Sequence, residues 1–141
     1  MAGEAVIRET TWKTREMKWI RRIGYSTATM NRPDTEVVAA VVGFDSTTRT
    51  IIDGRTTGFC KLIVDRATFK ILGCHVVGER AVEITQVAAI AIAAGMRVDD
   101  LSQVPLSFPT YTAILGRAAA SAARQLNLKI TWHANHAEDA A

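Results

Sequence analysis

A chain of 141 residues with 48% hydrophobic and 22% charged residues is long enough for one domain with a core and too apolar to be disordered. Its net charge of +3 is local, because Lys13, Arg15, Lys18, Arg21 and Arg22 fall in one stretch and the remainder is near neutral, so nucleic acid is not an expected partner. Two cysteines exclude a secreted disulfide scaffold, residues 1–30 carry no secretory apolar segment, and the longest apolar run, Val87–Ala94, is too short to span a bilayer. A cytoplasmic protein with no membrane partner is the expectation.

Residues 1–35 read as a basic extension. Trp12, Trp19, Ile20 and Ile23 fit one face of a short helix, with the cations elsewhere. Such a segment over residues 12–22 is either a solvated extension or a basic binding module for phosphate or an anionic surface. Arg32-Pro33-Asp34 is a turn signal and places a domain boundary, so the domain is expected over 36–128.

From Glu36 the pattern turns β. Val37–Phe44 is a β-branched, apolar strand, Ser46-Thr47-Thr48 a turn, and Thr48–Asp53 reads as a second strand. Asp53-Gly54 is a turn dipeptide with glycine available for positive φ. Gly58–Val64 and Phe69–Val77 are two further strands joined by a loop short enough for an antiparallel hairpin. Both alternating sets of these strands are apolar, which predicts cover on both faces. Pairing symmetric about Ala67 sets Cys60 nearly opposite Cys74, as two buried small hydrophobes or as a redox pair. His75 falls on the opposite face from Cys74.

Ala81–Ala94 is predicted helical and closed by Gly95, with Glu79 and Glu83 at its positive end. Beyond Gln86 it has no polar face, so it is buried either against a second subunit or under residues 110–126. Val98-Asp99-Asp100-Leu101 starts a short helical turn, Leu106–Thr110 forms an extended link, and Thr110 caps a helix over Tyr111–Leu126. Residues 129–141 read as a polar tail. Its His133 and His136, at i, i+3 spacing, do not by themselves make a metal site.

Taken together, Thr57-Gly58-Phe59-Cys60-Lys61-Leu62, Ile71-Leu72-Gly73-Cys74-His75-Val76-Val77-Gly78, Ala81 with Glu83-Ile84, Ala91-Ile92-Ala93-Ala94-Gly95-Met96, Asp99-Asp100-Leu101 and Phe108-Pro109-Thr110 resemble one family. It is the C-terminal dimerisation (interface) domain of the FAD-dependent pyridine nucleotide-disulfide oxidoreductases: dihydrolipoamide dehydrogenase, glutathione reductase and mercuric reductase. The resemblance covers about residues 37–128. It implies an α+β fold, an antiparallel β-sheet meander with helices packed on it, and a homodimer. The implied subunit contact includes Ile84, Val87, Ala88, Ala91, Ile92, Phe108, Pro109 and Tyr111.

In that family the domain follows FAD and NAD(P) domains. Here no GxGxxG fingerprint opens a βαβ unit and no CxxxxC redox pair exists. The chain is therefore expected to bind no cofactor itself and to be inactive alone, FAD and NAD(P)H belonging to an implied full-length enzyme. The family motif His-Pro-Thr-x-Ser-Glu falls on Phe108, Pro109, Thr110, Tyr111, Thr112 and Ala113. Phenylalanine carries no proton and alanine orients none, so the family's acid–base pair is not intact. This suits a divergent, mercuric-reductase-like branch, although the tail lacks the cysteine pair of mercuric reductases. An alternative role is a subunit that completes a flavoprotein's active site in trans, with Tyr111 as the nearest proton donor.

Overall fold

A computed structural model describes residues 10–13, 19–24 and 36–129. Five strands pair antiparallel throughout: β1 (Thr10–Lys13), β2 (Trp19–Gly24), β3 (Val37–Gly43), β4 (Phe59–Asp65) and β5 (Ile71–Gly78), in the order β1-β2-β5-β4-β3. Four helices follow the chain as α1 (Thr48–Ile52), α2 (Ala81–Ala93), α3 (Val98–Gln103) and α4 (Ala113–Gln125). α2 packs on β5 and β2, α4 packs on β3 and β4, and α3 packs against α4. The fold is the expected α+β type, with β3-β4-β5 as its meander.

The helices lie on one sheet face, because alternation brings Val38, Ala40, Cys60, Leu62, Val64, Cys74 and Val76 to that side, all buried. They meet Ile84, Ala88 and Ala91 of α2 and Ile114, Leu115, Ala118, Ala119 and Ala122 of α4. Alanines at these positions let the helices approach the sheet closely. The second face is covered only in part among the described residues: Ile63 is fully buried there, while Phe59 and, on β3, Val41 are exposed.

Three local readings are corrected. Trp12 and Trp19–Ile23 do not form a helix but lie in β1 and β2, where β2 pairs with β5 along its whole length from Trp19↔Gly78 to Gly24↔Gly73. The segment read as a separate extension thus supplies two strands of the sheet. Thr48–Asp53 is not a strand. A 3₁₀ turn over Phe44–Ser46 runs into α1, since Thr50 Oγ1 bonds back to Thr47 O at 2.8 Å and to Phe44 O, and shares a 2.7 Å bond with Thr47 Oγ1. These hydroxyls satisfy the turn from within, which a ladder-based reading of the threonines misses.

Thr110, finally, does not cap α4. Its hydroxyl donates to Ser107 O at 2.7 Å, and the helix begins two residues after Tyr111. Gly54 and Gly95 both adopt positive φ, as the turn and the end of α2 were expected to require. The proposed polar tail from 130 onward, with His133 and His136, lies outside the described residues.

Candidate functional site

The stretch that matches the family's motif leaves α3 and enters α4. Tyr111 ties it to the end of α1. Tyr111 sets its ring against Phe44, with centroids 6.4 Å apart and planes tilted by 54°, and its hydroxyl donates to Asp53 Oδ2 at 2.8 Å. Asp53 is itself gripped by Arg49, whose Nε and Nη2 reach its two oxygens at 2.9 Å each, a forked pair one helical turn long. The turn that replaces the expected strand therefore builds the anchor for the motif loop. Phe108, joined to Pro109 by a cis peptide, projects outward and is 75% exposed.

Between this loop, α1 and the start of α2 lies an open cleft of about 680 Å³. Arg49, Asp53 and Arg55 line one wall, Glu79, Arg80 and Glu83 the second, and Pro109, Thr110 and Tyr111 the third. Arg80 occupies the cap position of α2 in the left-handed conformation, φ 56°, within 3.9 Å of Glu79 and 3.6 Å of Glu83. Arg55 makes no ion pair among the described residues. The cleft is thus densely charged with near balance of sign.

The electrostatics define what Tyr111 can do. Partial burial and the Asp53 carboxylate raise its phenol above the usual tyrosine value. The Tyr111 hydrogen bond, helped by Arg49 and opposed by burial, holds Asp53 below the usual carboxylate value. A protonated phenol bonded to a carboxylate is suited to hold the loop in place. Phe108 and Ala113 carry no titratable group, and Thr112 makes no side-chain bond at the start of α4.

The candidate subunit contact divides in two. Ile84, Ala88 and Ala91 face the chain's own core and are fully or nearly fully buried, while Val87 and Ile92 are partly buried against it. The outer side of α2 instead presents Val82 and Ile90, 42% and 61% exposed. Neither was singled out from the sequence, yet the spacing marks them: the buried stripe 81, 84, 85, 88, 91 leaves 82, 86 and 90 on the opposite side. Pro109 adds apolar surface to the cleft, and Phe108, Ile51 and Ile52 are further exposed hydrophobes.

Cys60 and Cys74 are both free and fully buried under the helices. They are not directly opposite: Cys60 pairs with Val76 and Cys74 with Leu62, because the turn after Asp65 centres beyond Ala67 and a bulge between Ile63 and Val64 shifts the register further. Their sulfurs are nonetheless 3.9 Å apart. The neighbouring thiol and burial push the Cys74 thiol well above its ordinary value. Among the described residues no group of three or more His, Cys, Asp or Glu side chains could hold a metal ion. No helix among them is long and apolar enough to cross a membrane.

Residues 20–135 match the family model of the pyridine nucleotide-disulphide oxidoreductase dimerisation domain, a span that takes in β2. Mercuric reductase from Lysinibacillus sphaericus is 34% identical over 84 residues, 60% of this chain and 15% of that protein. Mercuric reductase from Bacillus cereus is 32% identical over 91 residues, 64% and 14% respectively. The chain thus spans about one seventh of the length of these relatives.

Among solved structures, LpdA from Mycobacterium tuberculosis superposes with a TM-score of 0.72 at 21% identity, over 80% of this chain and 24% of that one. An NAD-dependent persulfide reductase from A. fulgidus gives 0.71 at 22% identity, over 86% and 23%. These likenesses establish the fold. With the family match covering most of the sequence, the chain belongs to the dimerisation domains of the pyridine nucleotide-disulfide oxidoreductases.

Proposed function

We propose that this domain joins two copies of an FAD- and NAD(P)H-dependent, mercuric-reductase-like oxidoreductase about a two-fold axis, with no catalysis of its own. The observation that carries the reading is the apolar surface left open by the fold. Val82 and Ile90 on α2 and Phe108 beside the cleft are large hydrophobes held in place by buried neighbours, which is the composition of an interface core. A self-complementary contact of this kind is the usual route to a closed dimer. The interface is accordingly Val82, Ile90, Val87, Ile92, Phe108, Pro109 and Tyr111, with Ile84, Ala88 and Ala91 supporting it from beneath.

The described residues do not fit a nucleotide cofactor. Every strand is antiparallel, so no βαβ crossover presents a helix N-terminus to a pyrophosphate, and the start of α2 is already flanked by Glu79 and Glu83. FAD and NAD(P)H belong to other parts of the enzyme. A cytoplasmic location agrees with two close thiols that remain free.

Sedimentation equilibrium tests the reading. A mass of twice 15.3 kDa in the micromolar range is expected, and a monomer throughout that range overturns it. A flavoprotein subunit is the second partner to consider, because the charged cleft beside Phe108 is open. Separately expressed flavin and nucleotide domains should then bind the chain, and binding unchanged by Phe108→Glu would refute that docking mode.

A further inference from the structure

The surface assigned to the subunit contact carries charges that it has to match. Val82 and Ile90 are exposed hydrophobes of α2, and Glu83 stands among them, because 83, 86 and 90 share one stripe of the helix. Pro109 continues this surface into the cleft, which Arg55 and Glu83 also line. A contact that covers Val82 and Pro109 therefore takes in Glu83 and Arg55 as well.

The two walls of the cleft differ in charge. On the α1 side Asp53 is engaged by Arg49 at 2.9 Å and by the Tyr111 hydroxyl at 2.8 Å. Arg55 is then the surplus cation of that wall. On the α2 side one guanidinium, that of Arg80, serves two carboxylates, Glu79 at 3.9 Å and Glu83 at 3.6 Å. Glu83 is the more open of the two, its side chain 57% exposed against 44% for Glu79. One wall is thus positive and the other negative.

Covering an unmatched charge costs free energy, and setting like charges together costs more. A two-fold axis offers each chain only what the other chain carries. The positive wall of one chain meets either the positive wall of the other or its negative wall, and only the second arrangement matches the surplus. Given the two-fold dimer, on which this rests, we infer that Arg55 of each protomer forms an ion pair with Glu83 of the partner subunit. Two equivalent pairs then flank the axis and bridge the two clefts. The apolar stripe supplies the affinity, while the pairs fix how the two copies are set against each other and reject the like-charged arrangement.

Sedimentation equilibrium of the full chain at about 50 and about 500 mM sodium chloride reads the dimer dissociation constant. The constant should rise several-fold with salt. Arg55→Glu and Glu83→Arg should each raise it at least about 10-fold at low salt, since each sets like charges against one another at two symmetric places. Both positions are exposed, so circular dichroism should show the fold unchanged. Mixing the two variants should restore a heterodimer within about 3-fold of wild type, because every facing pair is then of opposite sign. A pair formed within one chain would gain nothing from mixing. Single variants without effect, a mixture no tighter than either variant alone, or a wild-type constant indifferent to salt would each overturn the inference. A dimer that shows one of these results and is still broken by Ile90→Glu would leave the α2 interface standing, whereas a wild type monomeric throughout would overturn both.

Discussion

The Tyr111 hydroxyl and the Asp53 carboxylate meet at 2.8 Å across 58 positions of sequence, and this contact ties the motif loop to the end of α1. Tyr111→Phe keeps the ring on Phe44 and removes only the tie. It should lower Tm by no more than about 3 °C while raising protease sensitivity between 104 and 112. An unchanged cleavage pattern would show that the ring alone holds the loop.

The same contact predicts a pH window. Asp53 is shifted down, so its contribution is complete above the unfolded value near 3.8 and is lost as pH falls through the lower folded value. Tyr111 is shifted up, so its contribution is complete below the unfolded value of 10.0 and is lost as pH rises towards the higher folded value. The Tm difference between wild type and Tyr111→Phe should therefore be flat from about pH 5 to 9 and shrink on both sides. A difference that persists at the two extremes would contradict this linkage.

The two sides of α2 should respond differently. Ile84→Ala empties a fully buried site and should cost about 2–5 kcal/mol of stability. Ile90→Glu changes an exposed position and should leave the fold intact, within about 0.5 kcal/mol for the monomer, while converting dimer to monomer in sedimentation. Dimer retained in Ile90→Glu, with Phe108→Glu equally without effect, would remove this surface from the interface.

Thr50→Val should be costly although it conserves shape. The hydroxyl lost is fully buried and shares its one proton between Thr47 O and Phe44 O, so its removal deletes a buried bond although each carbonyl keeps a backbone donor. A loss of about 1–3 kcal/mol is expected in denaturant unfolding. Because α1 carries Arg49 and Asp53, the Tyr111 tie should weaken with it. Stability equal to wild type would mean that the threonine cluster does not organise the turn.

Gly58→Ala tests a close approach of backbones. Gly58 has φ +138°, and a Cβ there would stand 2.1 Å from Val77 O. Strain and overlap together should cost roughly 2–5 kcal/mol. A near-neutral substitution would show that β4 can start elsewhere.

Much of this architecture was legible because it is local. The β4–β5 hairpin announced itself by two apolar runs around a short polar loop, and α2 and α4 by helical spacing. The family motif could be located on Phe108–Ala113 before its geometry was known. What failed was decided by specific bonds and pairings that residue propensity does not show. Thr48–Ile52 has β-prone residues, yet hydroxyl bonds to Phe44 and Thr47 turn it into a helix. Trp19–Gly24 has a plausible helical stripe, yet the edge of β5 captures it as a strand. The Asp53–Tyr111 tie could not be read at all, because nothing in either segment names the other. The outer stripe of α2 was readable in principle, but an all-apolar helix conceals which side is which until the sheet chooses.

The place of β2 has a consequence for how the chain acquires its shape. β4 and β5 can close around a loop of a few residues, whereas Gly24 and Gly73 begin some fifty positions apart. Closing the longer loop costs on the order of 2 kcal/mol more in chain entropy. The hairpin and its helices should therefore assemble early, and β2 should zip onto the edge of β5 last. Until it does, that edge can accept a strand from another molecule. An edge left open in this way is a template for pairing with another chain, and β2 is what closes it.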